Sequence, residues 1–125
     1  MYLHEELSRK IISACYSTHN ELGTGFLEKV YQEALAIMLD ELGIPYEQEK
    51  HLPITFRGKT LKSTYIADFV IDNKIILETK ATKELESTHE AQVLNYLRAT
   101  GFQIGLLVNF GQKRLQIKRL AANIY

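Results

Sequence analysis

The sequence predicts an α/β domain in which helices pack on a mixed β-sheet, and three observations carry that expectation. Apolar residues recur at three- and four-residue steps as far as Leu42, the spacing of amphipathic helices. From Tyr46 onward the pattern changes to short apolar or alternating runs separated by turn residues, the signature of strands. A single helical stretch then falls between the third and fourth of these runs, which requires a parallel crossover and makes the sheet mixed. The 125 residues fit one domain spanning 1–125.

Taken in order, Leu3 to about Leu22 forms the first helix, with Leu7, Ile11, Ile12, Ala14 and Cys15 on its apolar stripe. Gly23-Thr24-Gly25 breaks it, since glycine commonly follows a helix end. Phe26 to about Leu42 is the second helix, carrying Leu27, Val30, Tyr31, Ala34, Ile37 and Met38, and Gly43 stops it before Pro45. Strands follow at Tyr46–Phe56, Leu61–Ile71 and Ile75–Ala81, joined by turns at Arg57-Gly58-Lys59 and Asp72-Asn73-Lys74. Ser87 or Thr88 caps a third helix running to about Thr100, and Gly101 ends it. Gln103–Asn109 is an apolar strand, Gly111-Gln112 a turn, and Arg114–Leu120 the last strand.

Composition narrows the possible functions. At 46% hydrophobic residues the chain can bury a core without disulfide or structural metal. Fifteen basic residues balance fifteen acidic ones, so net charge supplies no global attraction to nucleic acid or membrane. Any grip on a polyanion has to be local. One cysteine, Cys15, excludes an intramolecular disulfide and a cysteine-based zinc site; it sits among core positions. No stretch approaches the roughly 18 apolar residues of a membrane span, and MYLHEELSRK lacks the apolar segment of a signal peptide. A cytoplasmic location with no membrane partner is the expectation.

The chemistry concentrates in two neighbouring strands. Tyr65–Ile71 and Ile75–Lys80 are apolar on both faces, as central, covered strands are. Alternation places Ile66, Asp68 and Val70 on one face of the first, and Ile76, Glu78 and Lys80 on one face of the second. A three-residue turn at Asp72-Asn73-Lys74 pairs Ile71 with Ile75 and therefore Asp68 with Glu78. Two carboxylates so placed repel each other unless a proton or cation lies between them. Mg²⁺ or Mn²⁺, which prefer oxygen ligands, would remove the conflict and promote attack of water on a phosphodiester. Lys80 would orient or deprotonate that water or offset charge on the phosphate, and the Thr79 carbonyl is a further ligand candidate. The alternative is an exposed strand face with an Asp68–Lys80 salt bridge. Apolar neighbours on both sides of each charge argue against it.

Asp68 followed after nine residues by Glu78-Thr79-Lys80 resembles the signature of the PD-(D/E)XK nuclease superfamily, without its proline. Gly25-Phe26-Leu27-Glu28-Lys29-Val30-Tyr31 resembles the GxxExxY motif of a small bacterial and archaeal family within it. Tyr65–Phe69, Glu90–Leu97 and Gly105–Gly111 are also similar to that family, and the resemblance runs from about Thr18 to Leu120. It implies a restriction-endonuclease-like fold and a nuclease using Mg²⁺ or Mn²⁺ on nucleic acid, with DNA the expected polymer. It further implies that Asp68 and Glu78 are metal ligands, that Lys80 is the catalytic lysine, and that Glu28 completes the metal site directly or through water. Gln92 and Tyr96 would support the site or the substrate.

The residues themselves leave alternatives open. Glu28 and Tyr31 share one helix face, but an acid near a helix start also complements the helix dipole. His89, Gln92 and Tyr96 share a face that would equally suit a half-exposed amphipathic helix. Lys113, Arg114, Lys118 and Arg119 gather near the end of the chain, suited either to a phosphate backbone or to protecting an edge strand. His4, His19, His51 and His89 lack metal-ligand spacing and read as surface or capping residues. At the level of function, a silent nuclease fold that only binds, and a domain completed by a homodimer or a partner protein, both stay open.

Overall fold

The computed structural model describes residues 3–122. Helices α1 (Glu5–Leu22) and α2 (Glu28–Glu41) come first, followed by β1 (Tyr46–Phe56), β2 (Lys59–Ile71) and β3 (Ile75–Lys80). Helix α3 (Ser87–Thr100), β4 (Ile104–Asn109) and β5 (Gln116–Ala121) complete it. The strands form one sheet in the order β1-β2-β3-β4-β5, antiparallel throughout except for the parallel pair β3–β4. The expected crossover is present, because α3 carries the chain from β3 back to the start of β4.

Each face of the sheet has its own core. Phe69, Ile71, Ile75, Leu77, Ile104, Leu106 and Val108 pack against Ile11, Cys15, Tyr31, Leu35 and Leu39 of α1 and α2. Ala67, Val70, Ile76 and Leu107 pack against Val93, Tyr96 and Leu97 of α3. Helices thus flank both faces of a five-strand mixed sheet. Both faces of β3 and β4 are covered, and their sequences read as unbroken apolar runs for that reason.

Turn chemistry fixes the hairpins. Phe56 pairs with Lys59 around Arg57 (φ 52°) and Gly58 (φ 76°), a two-residue turn with both central residues left-handed. Lys59 therefore begins β2 rather than belonging to the turn. The second hairpin has the three-residue loop expected at Asp72-Asn73-Lys74, with Ile71 opposite Ile75 and positive φ at Asp72 and Asn73. The N-cap of α3 is Glu86, one residue before the expected Ser87 or Thr88; its backbone N–H donates to His89 Nδ1 at 3.0 Å. The Glu86 side chain in turn accepts from the His89 N–H, so a carboxylate takes the capping role expected of the hydroxyls and the histidine ring completes the reciprocal box.

Gly111 is required by close approach. A Cβ there would lie 2.1 Å from the Thr82 carbonyl oxygen and 2.4 Å from its nitrogen, both backbone atoms that cannot swing aside. The loops after β3 and β4 are pressed together at this point. Asn109 knits them: its Oδ1 accepts from the N–H groups of Thr82 and Gly111, each at 2.9 Å, and its Nδ2 donates to the Thr82 carbonyl at 3.0 Å. Phe110 N–H donates to the Lys80 carbonyl at 2.8 Å. Gly111→Ala is expected to cost about 1–3 kcal/mol or more by overpacking, read as a lowered midpoint in urea unfolding. Wild-type stability in that variant would show that the loops part without strain.

Candidate active site

The site lies where β2 and β3 separate. Their backbone pairing runs from Ile71–Ile75 to Phe69–Leu77 and ends there. One residue further, side chains replace the ladder. Asp68 N–H donates to Glu78 Oε2 at 2.7 Å, while Thr79 N–H and Oγ1 both donate to Asp68 Oδ2, at 2.8 and 3.0 Å. Each strand's carboxyl group thus takes a backbone N–H of the other strand, and these bonds hold the two acids in the gap.

Asp68 is also where β2 changes phase. Phe69 and Ile71 face α1 and α2, but Ala67, which alternation should put beside them, packs with Val70 in the α3 cluster. Across on β1, Gln48 and Lys50 pair with Phe69 and Ala67, whereas Glu49 adopts φ 49° and Asp68 has no backbone partner there. The expectation that Ile66, Asp68 and Val70 share one face is therefore corrected: Val70 is buried and Ile66 is 47% exposed. Glu49 and Asp68 both drop out of the ladder at this point, while the register on either side stays the same. On β3 the expectation holds. Ile76 joins the α3 cluster, Glu78 lies against Tyr96, and Lys80 Nζ donates to Gln92 Oε1 of α3 at 3.3 Å.

A hydrogen-bond chain joins this face to the other one. Thr79, fully buried, accepts on Oγ1 from Gln32 Nε2 of α2 at 2.9 Å while its own hydroxyl donates to Asp68. Gln32 Nε2 also reaches Glu28 Oε1 at 3.5 Å. Glu28 stands at the first residue of α2, where its charge is stabilised by the helix dipole and is near enough to feel both Asp68 and Lys80. The structure therefore brings Asp68, Glu78, Thr79, Lys80, Glu28, Gln92 and Tyr96 together at one end of β3.

The electrostatics follow from this crowding. Burial, reinforced by the Asp68 charge, pushes the Glu78 carboxyl up to about 9, so without a cation it keeps its proton at neutral pH. Burial and then Asp68 also raise Glu28 above its ordinary value, with Lys80 pulling the other way. Tyr96, pressed on Glu78 and tilted against Tyr65 at a ring separation of 4.7 Å, is raised to about 12 by burial and by the two acids. The buried Glu78 carboxyl beside half-buried Asp68 suits a hard divalent cation, and every candidate donor is oxygen. Among the described residues no group of three His, Cys, Asp or Glu is assembled in metal-holding geometry. Asp68 and Glu78 are thus the acidic pair, with Glu28 at their edge.

Other predicted residues lie elsewhere. Tyr31 is fully buried, stacks on Phe110 at 4.7 Å and donates its hydroxyl to the Gly23 carbonyl at 2.6 Å, which ties the α1–α2 connection to the core. The four basic residues do not form one patch. Lys118, on edge strand β5, pairs with Glu90 of α3 at 2.8 Å, whereas Arg119 reaches the Leu3 carbonyl at 3.2 Å. Lys113 and Arg114 stand in the loop before β5. His19 is not a surface residue: it is 6% exposed and its Nε2 donates to the Gln112 carbonyl at 2.8 Å. Cys15 is in the core as expected, its thiol pushed up to about 12 by burial.

Sequence reasoning missed Gln32 and Asn109. Gln32 carried a faint signal: it follows Tyr31 on the inward stripe and stands four residues after Glu28, yet it is polar. Asn109 ends an apolar strand just before a glycine, a position from which a side-chain amide can bridge loops.

Comparison with known proteins bears on the family and the fold. A family model described as the PD-(D/E)XK nuclease superfamily matches residues 5–120. No curated protein matches the chain. Among solved structures, the crystal structure of SSO0001 superposes with a TM-score of 0.58 at 21% identity, covering 98% of this chain and 61% of that one. The chain thus spans about three-fifths of the length of that protein, and the likeness bears on the fold.

Proposed function

The chain belongs to the PD-(D/E)XK nuclease superfamily, and from that premise we propose that it hydrolyses phosphodiester bonds of nucleic acid, DNA foremost, in a reaction dependent on Mg²⁺ or Mn²⁺. The observation that carries the reading is the meeting of Asp68 and Glu78 in the gap between β2 and β3, with Lys80 and Glu28 beside them. Asp68, Glu78 and the Thr79 carbonyl would hold the cation, which supplies a Lewis acid for the phosphoryl oxygen and lowers the pKa of water.

The chain's own groups do the rest. Thr79 clamps Asp68 from two directions and Gln32 clamps Thr79, so the carboxylate keeps its aim without reorganisation. Lys80, tethered by Gln92, would place an ammonium where negative charge builds on phosphorus or, as the neutral amine, take the proton of the attacking water. Glu28 would complete the cation's surroundings, directly or through a water. Tyr31 positions the start of α2 from the core rather than touching substrate. The narrower GxxExxY assignment, resting on Gly25–Tyr31, and a cytoplasmic location belong to the same proposal; no described helix is long and apolar enough to cross a membrane.

A second reading is a nuclease fold that binds without turnover, alone, as a homodimer or with a partner protein. The burial of Glu78, 3% exposed and protonated without a cation, favours it. A screen of single-stranded, double-stranded and branched substrates with Mg²⁺ or Mn²⁺ separates the two. Cleavage is expected with at least one substrate and lost in EDTA. Intact substrates throughout would select the silent reading.

A further inference from the structure

Among the described residues Arg57, Lys59, Lys62 and Arg98 are in no ion pair, and neither are Lys80, Lys83, Lys113 and Arg114. The last four belong to β3 and the two loops joined by Gly111 and Asn109, at the end of the sheet that carries the candidate active site. Between the end of α1 and the 113–115 loop lies a hollow of about 400 Å³, lined by Tyr16, His19, Asn20, Lys113, Arg114 and Leu115. No acidic side chain lines it, although acids and bases are equal in number across the chain.

The hollow is anchored to the reacting centre. Phe110 N–H is bonded to the Lys80 carbonyl, and Lys113 follows three residues later, at most about 11 Å of chain away. Gln112 holds the loop on both sides: its carbonyl accepts from His19, and its side-chain amide donates to the Lys83 carbonyl. A carbonyl only accepts, so His19 carries its proton on Nε2 and acts as a strut for the loop. Tyr16 is 47% exposed and, among the described residues, stacks on no other ring. The hollow therefore offers an open aromatic face, a side-chain amide and two unpaired cations.

We infer that this hollow is a nucleotide subsite: it takes one unstacked nucleotide of a nucleic-acid strand adjoining the scissile phosphodiester. Lys113 and Arg114 hold its phosphate, Tyr16 stacks on its base, and Asn20 bonds the base edge. The inference rests on the proposed hydrolytic site only for the word adjoining, and it adds a substrate class. A base reaches Tyr16 only when freed from its neighbours, so the strand is single-stranded or frayed there.

The test is fluorescence anisotropy of a labelled single-stranded oligonucleotide and of a blunt duplex, in EDTA so that nothing is cut. The full chain and Tyr16→Ala, Tyr16→Phe and Lys113→Ala/Arg114→Ala variants are compared. Tyr16→Ala should weaken single-strand binding about tenfold and leave duplex binding unchanged, while Tyr16→Phe binds as wild type. The double basic variant should weaken binding and lower the salt dependence by about 0.7 per lost phosphate contact. Wild-type single-strand binding in Tyr16→Ala and in the basic variant would overturn the subsite. So would strand binding that a mononucleotide leaves intact while itself occupying the hollow, which would assign it to free nucleotides. Failure of the hydrolytic reading looks different: these binding effects would stand, and no metal would support cleavage.

Discussion

Asp68→Ala is expected to lower any metal-dependent cleavage by on the order of 10³-fold or more. The loss has two sources. The variant lacks one of two acidic oxygen donors, and it frees Thr79, whose N–H and hydroxyl both rest on Asp68 Oδ2. Stability should change less than activity. An unpaired Thr79 N–H costs about 1–3 kcal/mol, but removal of the Asp68 charge relieves one cause of the raised Glu78 pKa and returns part of that cost. Lys80→Ala is the cleaner companion, since the half-buried lysine gives up a single bond to Gln92. It should abolish cleavage with an unchanged far-UV CD spectrum. Activity retained in both folded variants would sink the mechanism.

Glu78→Gln should separate the acid's cost from its use. In the folded, cation-free protein the Glu78 carboxyl is raised from 4.5 to about 9. The folded state then holds a proton that the unfolded chain releases above its ordinary value, so stability falls as pH rises between about 4.5 and about 9. The contribution is fully present at acid pH and lost as pH passes the folded value, a matter of a few kcal/mol. The amide keeps an acceptor for Asp68 N–H and cannot ionise. Glu78→Gln should therefore be more stable than wild type at pH 8 in EDTA, match it near pH 4.5, and fail to gain stability from Mn²⁺. Identical pH profiles for the two proteins in urea unfolding would refute this account of Glu78.

Much of this architecture was legible in the sequence because its signals are local. The two-stripe helices, the left-handed turn residues at Gly58 and Asn73, and the unbroken apolar runs of β3 and β4 each follow from side-chain period or backbone sterics. Hairpin register placed Asp68 across from Glu78 for the same reason. The details that escaped depend on tertiary contact. Alternation slips at Asp68 because β2 leaves β3 there, and no period announces where two strands part. Gln32 reaches Thr79 across 47 positions of sequence, and the α3 cap is a reciprocal Glu86–His89 pair in place of the expected hydroxyl. Lys113 and Arg114 stand apart in the loop before β5, and Lys118 and Arg119 part from each other because a strand sends alternate residues to opposite faces.

The site's central claim is that Asp68 and Glu78 bind one divalent cation. Calorimetric titration of Mn²⁺ at neutral pH, in two buffers of different ionisation enthalpy, tests it most directly. One cation should bind per chain with release of about one proton, the one Glu78 holds in its absence, and Asp68→Ala should show no such binding. Equal binding by Asp68→Ala, or none by the wild-type chain, would contradict it.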